Sequence, residues 1–469
     1  MIVFDSIIQF VKINSNPSFP AFKWTTDGCW SRIPAMRFQS FNQVMEHMES
    51  FTNLERKTDK YNTGTYRLDR MQAIMEKLGN PQNSYRTVHV AGSKGKGSTA
   101  SYIASALQAA GFKTGLYTSP HVSDYRERFT INDRFVEDDV LISVAQSLFS
   151  SLEGFSFCDS MGENTPTTFE LYTAFAFLLF KEEHCTWAVI ETGLGGRLDA
   201  TNIIMPQASV LTPIELEHTD VLGDTITKIA VEKSKIIKPG VPSFSALQDP
   251  EALAVFKAEA ASKNSAFHYL GDHISDVEDN LISFKDGYSW NCSLAMAGLV
   301  QAQNCALALL VIRTLGFYIP SVTEKAMEEN RLPGRMELVP WKRPLYLDGA
   351  HTKNSMGHLI GTFRKMYPGR TGICIFGAVT GKNHLEMSRQ VLQAFDTVVV
   401  SKPGTYKASN PEALYELLLS MKGPSQTVVL REDASGALEY CLSHSKPGEP
   451  VLCAGSFYLA GEIKEALCL

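Results

Sequence analysis

The stretch YRTVHVAGSKGKGSTASYIASALQ, residues 85–108, decides the fold that we expect for this chain. Its β-branched residues before the glycines suit a buried strand, and the apolar residues from Ala100 onward recur at helical spacing. Between these segments stand Gly92, Gly95 and Gly97, which let the backbone turn tightly and approach a ligand closely. The sequence therefore predicts a strand, a glycine loop and a helix, in that order.

Such a loop favours anions, because converging N–H groups and the positive end of a helix face the same point. Lys96 can reach a terminal phosphate, and the hydroxyl of Ser98 or Thr99 can bind the magnesium ion that accompanies the phosphate. The P-loop pattern GxxxxGK[ST] is not met, since Val90 takes the place of its first glycine and Gly97 interrupts its end. A glycine-rich turn without a ligand is the alternative, but the combination of strand, glycines, lysine and hydroxyls favours phosphate.

Composition predicts a large globular protein. The chain has 469 residues, a length that suits roughly two to four domains. Hydrophobic residues make up 44% of it, which is ample for large cores. A net charge of -6 excludes the extended basic surface of a nucleic-acid binding protein. The nine cysteines form no CxxC pair, so we expect neither zinc nor a disulfide framework. Residues 1–10 lack a basic start and are too short to span a membrane, so we expect a cytoplasmic protein without a membrane partner. We also expect a monomer.

Three successive predicted strands of the amino-terminal half end in polar side chains: Ser119, Glu191 and His218. Ligands of open α/β sheets gather at the carboxyl ends of the strands. One nucleotide-bound magnesium ion could draw on all three residues. A charged loop residue at Glu191 and a surface ion pair at His218 remain the alternatives.

Other segments are open to two interpretations. Residues 125–128, YRER, favour a solvated surface when taken alone, and so do the lysines of EKSKIIKPG, residues 232–240. Residues 167–180, TTFELYTAFAFLLF, are apolar on almost every side and predict a buried helix, with Glu170 near its positive end. Asn304 stands in another long apolar helix, where a satisfied core amide and a ligand contact are both possible.

After a break at EENRLPG, residues 328–334, the chain alternates between short strands and helices. This pattern predicts a second α/β domain with a mostly parallel sheet. Asp348, His351, Lys382 and Ser456 again follow its strands. The expected fold class is therefore α/β, with a P-loop-type nucleotide-binding domain followed by a smaller, Rossmann-like α/β domain. A cleft between two such domains suits a reaction of two substrates.

The strings AGSKGKGST, TSPHVSDYRERF, ETGLGGRLDATN, HTDVLG, EKSKIIKPG, LPGRME, LDGAH and GSFYLAGEI occur in this order. Together they resemble folylpolyglutamate synthase and the closely similar dihydrofolate synthase, within the Mur ligase superfamily. The resemblance spans roughly residues 42–467. It implies an amino-terminal extension at 1–41, an ATP-binding central domain at 42–330 and a carboxyl-terminal domain at 331–469.

The resemblance implies an ATP-dependent amide ligase that uses Mg²⁺. Such an enzyme phosphorylates a carboxylate of a folate or dihydropteroate, and the amine of L-glutamate then displaces phosphate from the acyl phosphate. Closure of the carboxyl-terminal domain would keep water from this intermediate. Because GGRLDATN is similar to the bacterial enzymes that often combine both activities, we expect dihydrofolate synthase activity as well as polyglutamylation.

The resemblance also implies roles for particular residues. Nucleotide contacts are expected from Gly92, Ser93, Lys94, Gly95, Lys96, Gly97, Ser98, Thr99, Asn304, Arg335, Asp348 and His351. Catalytic roles are expected for Lys96, Lys233, Asp348 and His351, with Lys233 carbamylated, and the expected magnesium ligands are Ser119, Glu191 and His218. Glutamate and the folate tail are expected to contact Arg128, His351 and Ser456, and the pterin to lie near Thr168 and Phe169.

Two other functions share some of these features. A Mur-type cell-wall ligase would have the same loop and metal site, but it would usually carry a further domain for its nucleotide-sugar substrate. A non-catalytic nucleotide-binding protein could lose the metal and acyl-phosphate residues, whereas Glu191, His218, Lys233, Asp348 and His351 are all present here. The ligase is therefore the favoured interpretation.

Overall fold

The computed structural model describes residues 37–53, 67–158, 161, 164–369 and 372–468. Most of the expected amino-terminal extension lies outside these ranges. The described chain forms two large, mainly parallel sheets and a small antiparallel one, each with helices packed beside it. The α/β fold expected from the sequence is confirmed.

The first large sheet is built from strands in which nearly every side chain is buried, as expected for a sheet covered on both faces. Its strands are β1 (Arg86–Ala91), β2 (Thr114–Tyr117), β3 (Phe129–Ile131), β4 (Trp187–Glu191), β5 (Ala208–Leu211), β6 (Ser243–Ser245) and β7 (Phe267–Tyr269). Their order is β3-β2-β4-β1-β5-β6-β7, and only the β2–β3 pair is antiparallel. The strand before the glycine loop is thus central, with β4 and β5 on either side.

Helices cover both faces of this sheet. They are α1 (Phe41–Glu49), α2 (Leu68–Lys77), α3 (Lys96–Ala109), α4 (Asp138–Ser151), α5 (Thr168–Glu182), α6 (Thr219–Leu222), α7 (Ile226–Ser234), α8 (Pro250–Ser262), α9 (Leu270–His273), α10 (Leu299–Thr314) and α11 (Val322–Glu329). Short 3₁₀ helices lie at Pro81–Asn83, Tyr125–Arg128 and Ala200–Ile203. The antiparallel strands β8 (Ile274–Glu278), β9 (Leu281–Phe284) and β10 (Ser289–Asn291) form the small sheet.

The second large sheet follows α11. Its strands are β11 (Glu337–Val339), β12 (Leu345–Leu347), β13 (Ile373–Phe376), β14 (Thr397–Ser401), β15 (Thr427–Arg431) and β16 (Val451–Ala454), in the order β11-β12-β16-β13-β14-β15. The alternating helices are α12 (Lys353–Met366), α13 (His384–Ala394), α14 (Pro411–Met421), α15 (Ala434–His444) and α16 (Phe457–Ala466). The domain boundary that we propose after residue 330 falls between α11 and β11.

One local prediction was wrong. The helix expected to run from residue 229 to Pro239 and Gly240 ends at Ser234. The charged segment after Ser119 also contains a strand, β3, which pairs with the edge of the sheet. Among the described residues, no helix combines the length and the apolar character needed to cross a membrane. No disulfide bond joins two of the described cysteines, and Cys29 lies outside the described ranges.

Candidate active site

The glycine loop joins β1 to α3 as the sequence predicts. Gly95 precedes α3 with a φ of 82°, a left-handed conformation that favours glycine. A Cβ at this position would overlap Oδ1 of Asn304, so the loop lies directly against α10. The hydroxyl groups of Ser98 and Thr99 are buried in the first turn of α3 and have no hydrogen-bond partner among the described residues. An anion at this helix end would meet both hydroxyls and the positive helix terminus.

Glu191 lies beside this loop at the carboxyl end of β4. Its Oε1 is 3.8 Å from Nζ of Lys96, and its Oε2 accepts a hydrogen bond of 3.1 Å from the backbone N–H of Ser119. Burial raises the pKa of Glu191, and the charge of Lys96 opposes that rise. Three strand ends, those of β1, β2 and β4, therefore meet at one carboxylate.

A second carboxylate, Glu217, lies close to two lysines of the site. Its oxygens lie 3.2 Å from Nζ of Lys94 and 3.5 Å from Nζ of Lys233. Burial opposes ionisation of Glu217, but the charges of Lys233, Lys94 and Lys96 outweigh it and lower the pKa to about 2. The sequence placed Glu217 near the metal residues without giving it a role, because its contacts come from segments far away in the chain.

Lys233 is buried, so the solvated position favoured for it from composition is wrong. Its Nζ donates a hydrogen bond of 2.6 Å to the carbonyl oxygen of Gly92, at the start of the glycine loop. Burial lowers the pKa of Lys233 to about 8, although Glu217 opposes this shift. The side chain thus carries a larger fraction of neutral amine near neutral pH than an ordinary lysine does.

The expected magnesium ligands are only partly brought together. Ser119 and Glu191 are joined by the hydrogen bond described above, while His218 is exposed just before α6 and follows Glu217 in the chain. In the described ranges, no three His, Cys, Asp or Glu side chains converge on a common metal position. Of the expected ligands, Glu191 and Ser119 therefore lie together and fit a magnesium ion bound to a nucleotide, whereas no hydrogen bond or ion pair among the described residues joins His218 to them.

The carboxyl-terminal domain faces this loop with Arg335, Asp348 and His351. Asp348 accepts hydrogen bonds from the backbone N–H groups of Met336 (2.9 Å) and Ala350 (2.8 Å). Burial lowers the pKa of Arg335, and the negative charges of Asp348 and Glu191 oppose this shift. Since Glu191 belongs to the first sheet, the charge of Arg335 acts on carboxylates of both domains.

His351 is neutral. Its Nδ1 lies 2.7 Å from the carbonyl oxygen of Gly349, and because a carbonyl oxygen only accepts, Nδ1 carries the hydrogen and Nε2 keeps its lone pair. Burial lowers the pKa of His351 to about 3, assisted by the charges of Lys94 and Lys382.

Arg128 is buried, so the solvated surface favoured for it from charge alone is wrong. Its Nε donates to Nδ1 of His121 at 2.8 Å, and its guanidinium group lies 5.0 Å from the ring centre of Tyr172. The loop between His121 and Arg128 is held by Glu127, whose carboxylate accepts from backbone N–H groups within it. Val122, at the tip of this loop, packs in the apolar core of the carboxyl-terminal domain.

The residues expected at the substrate occupy different surroundings. The ring of Phe169 lies against Gly193, where a Cβ would overlap it. The hydroxyl of Thr168 donates to the carbonyl oxygen of Met48 at 3.0 Å, within the fold, and Ser456 accepts from the N–H of Tyr458 at 3.1 Å. No sequence pattern singled out Phe457, yet Cζ of Arg335 lies 4.2 Å from the centre of its ring.

The comparisons with known proteins cover most of the chain. The family models described as Mur ligase middle domain and as Mur ligase, glutamate ligase domain match residues 90–312 and 334–457. The dihydrofolate synthase/folylpolyglutamate synthase of Bacillus subtilis is 32% identical over 415 residues, which cover 85% of this chain and 94% of that protein. The folylpolyglutamate synthase of Lacticaseibacillus casei is 30% identical over 442 residues, which cover 91% of this chain and 99% of that protein.

A solved structure agrees with these relatives. Mycobacterium tuberculosis folylpolyglutamate synthase, crystallised with ADP and AMPPCP, superposes with a TM-score of 0.76 at 26% identity. The superposition covers 85% of this chain and 95% of that chain. The chain therefore belongs to the folylpolyglutamate synthase and dihydrofolate synthase family of the Mur ligase superfamily.

Proposed function

We propose that this ATP-dependent carboxylate–amine ligase joins L-glutamate both to dihydropteroate and to a reduced folate. The observation that carries the proposal is the electrostatic attraction between Glu191, beside the glycine loop, and Arg335 of the opposite domain, which opposes the shift that burial causes in the pKa of each. Charges of both signs, held on two domains across one cleft, suit the transfer of a phosphoryl group between two bound substrates.

In the first step, an oxygen of the folate carboxylate attacks the γ-phosphorus of ATP, and the bond from phosphorus to the ADP oxygen breaks. Lys96 neutralises charge on the transferring group, and the hydroxyls of Ser98 and Thr99 contact the phosphates. Mg²⁺, when bound near Glu191, Ser119 and His218, would neutralise further phosphate charge. Asn304, Arg335 and Asp348 are proposed to hold the nucleotide from the side of the carboxyl-terminal domain.

In the second step, the amine nitrogen of L-glutamate attacks the acyl carbon, and inorganic phosphate leaves. The attacking nitrogen loses a proton, which the departing phosphate can accept. His351 is suited to orient that N–H, because its Nε2 has no hydrogen-bond partner among the described residues and its low pKa keeps it neutral. We propose that Arg128 and Ser456 contact the substrate carboxylates and that Phe169 packs on the pterin, with Thr168 supporting its helix.

Lys233 is proposed to be carbamylated. A carbamate forms when the neutral amine nitrogen attacks carbon dioxide and releases one proton, and the lowered pKa of Lys233 supplies that neutral amine. The nearby Lys94 and Lys96 would then balance the new negative charge. We further propose a cytoplasmic monomer with the domains 42–330 and 331–469; the lack of a disulfide bond between described cysteines is compatible with a reducing compartment.

The test supplies the purified chain with ATP, magnesium and labelled glutamate, and offers dihydropteroate, tetrahydrofolate or a muramyl nucleotide as acceptor. We expect label on the first two acceptors and none on the third. Label on tetrahydrofolate alone would restrict the enzyme to polyglutamylation, and label on neither folate would refute the proposal. Lys96→Ala should abolish labelling while the fold, monitored by circular dichroism, stays intact.

A further inference from the structure

The connection between β2 and β3, residues 119–128, is organised by the side chain of Glu127. Both of its carboxylate oxygens accept hydrogen bonds: Oε2 from the backbone N–H of Val122, and Oε1 from the N–H groups of Ser123 and Asp124 at 3.1 Å each. The hydroxyl of Ser123 donates to the same Oε1 at 3.1 Å. One carboxylate therefore binds three consecutive N–H groups and fixes the turn at the tip of the 119–128 loop.

The base of this loop is fixed to the first sheet. The N–H of Thr118 donates to the carbonyl oxygen of Arg128 at 3.2 Å, and the hydroxyl of Thr118 donates to the carbonyl oxygen of Glu127 at 3.2 Å. Beside this base, the N–H of Ser119 donates to the carboxylate of Glu191. The loop therefore starts at a proposed metal residue and ends at Arg128, a proposed substrate residue.

The tip of the loop packs into the other domain. Val122 is only 8% exposed and belongs to the same apolar cluster as Leu459 of α16. A Cβ on Gly334 would lie 3.2 Å from the side chain of Val122, and Gly334 directly precedes Arg335. The loop thus contacts Glu191 from its base and the residue before Arg335 from its tip, so it touches both sides of the cleft.

Ligation needs the acyl phosphate and the amine to be held together while water is kept out. A loop that is fixed to one domain and packed in the other can link their closure only if its turn keeps its shape. On the basis of the proposed function, we propose that Glu127 is a positioning residue for glutamate ligation. By fixing the turn, it holds Val122 in the carboxyl-terminal domain while Ser119 and Arg128 stay at the substrates.

Loss of this turn has a defined chemical consequence. When the cleft closes incompletely, a water oxygen attacks the acyl carbon in place of the amine of L-glutamate, and inorganic phosphate leaves. The water gives up a proton, and the folate carboxylate is regenerated. ATP is then converted to ADP and phosphate without any ligation, so the reaction becomes uncoupled.

The experiment measures released phosphate and ligated glutamate in one reaction with ATP, magnesium, tetrahydrofolate and L-glutamate. Glu127→Gln keeps the length of the side chain, but its NH₂ group would face a backbone N–H, so the turn cannot keep all of its hydrogen bonds. We expect kcat for ligation to fall at least tenfold and the phosphate released per glutamate ligated to rise from about one to two or more. The affinity for AMPPCP should stay within about threefold, because the substitution leaves the glycine loop unchanged.

Two further variants separate this role from a loss of structure. Val122→Thr keeps nearly the same shape but brings a hydroxyl group into the apolar cluster, so it should also raise the ratio of phosphate to ligated glutamate. Glu449→Gln is the matched control. The carboxylate of Glu449 caps a turn of the same spacing, accepting from the N–H of Lys446 at 2.7 Å, but it lies before β16, at the amino end of that strand. This variant should keep the ratio at about one.

A ratio that stays at about one in both Glu127→Gln and Val122→Thr would overturn the proposal, and so would an equal rise in Glu449→Gln. A loss of AMPPCP affinity as large as the loss in kcat would also overturn it, because that pattern indicates general damage to the site. If the unsubstituted chain ligates glutamate to neither folate acceptor, the proposed function itself fails. If it ligates glutamate and both variants remain coupled, only the role of Glu127 fails.

Discussion

Replacement of Gly95 by alanine should damage nucleotide binding by an amount that follows from two contacts. An L-residue in the left-handed conformation of Gly95 costs about 1–2 kcal/mol. The added Cβ would also come within 3.1 Å of Cγ of Asn304 and overlap its Oδ1. Asn304 would have to turn away and lose its hydrogen bond of 3.2 Å to Gln301, a loss of about 1 kcal/mol. The sum is about 2–3 kcal/mol.

The free protein can relieve this strain by moving the loop, whereas bound nucleotide requires the original loop conformation. Binding must then restore the strained state, so affinity for AMPPCP should fall roughly 30-fold to 140-fold, since 1.4 kcal/mol corresponds to a factor of ten. Isothermal titration with AMPPCP measures this change. Urea-induced unfolding of the same samples measures any accompanying loss of stability.

Gly111→Ala is the matched control. Gly111 follows the opposite end of α3 with a φ of 91°, and no atom lies within 4 Å of the position that its Cβ would take. This variant should lose about 1–2 kcal/mol of stability through the same backbone strain and bind AMPPCP normally. Wild-type affinity in Gly95→Ala, or an equal loss of affinity in Gly111→Ala, would refute the assignment of the glycine loop to nucleotide binding.

Variants at three further residues test the remaining roles. Glu191→Gln keeps the shape of the side chain and removes its charge, so activity should fall and the magnesium titration should shift to higher concentration; an unchanged titration would exclude the role in metal binding. Lys233→Ala should regain partial activity with added short carboxylates. Without bicarbonate, the pKa of Lys233 is about 8 in the folded chain, against 10.5 for an ordinary lysine, so the unfolded chain binds more protons between these two pH values. The free energy of unfolding, measured with urea, should therefore rise with pH across this window. Lys233→Met should abolish that rise. Phe169→Ala should raise KM for dihydropteroate about two- to tenfold, from a stacking contact of about 0.5–1.5 kcal/mol, and should leave KM for ATP unchanged; equal changes in both constants would indicate a general loss of structure.

The sequence predicted elements well where local pattern determines them. The strand, glycine loop and helix around Gly95 and the strand ending at Glu191 appear where the residues indicated. Hydrophobic periodicity, glycine and proline act within a few residues, so they can be read from a short window. The expected polar side chains at strand ends followed from the same patterns.

Burial of charged residues could not be predicted in this way. Arg128 and Lys233 each look solvated within their own segment. Yet Lys233 is buried against the glycine loop, and Arg128 is buried against Tyr172 of α5. Arg70 makes the same point away from the cleft, because its guanidinium group forms a buried, two-point ion pair with Glu170, one hundred residues further on. Pairings of this kind depend on the tertiary fold, and a single sequence contains no local sign of them.

Val122 packs into the neighbouring domain, and this contact limits how the protein can be recombined with its relatives. The carbonyl group of Val122 lies so close to Gly461 that a Cβ on Gly461 would overlap it. The side chain of Val122 reaches Gly334. A hybrid enzyme joined at residue 330 would combine a loop tip from one parent with a receiving surface from another. Functional hybrids should therefore take residues 119–128 from the parent that supplies the carboxyl-terminal domain, even though this loop lies two hundred residues before the junction.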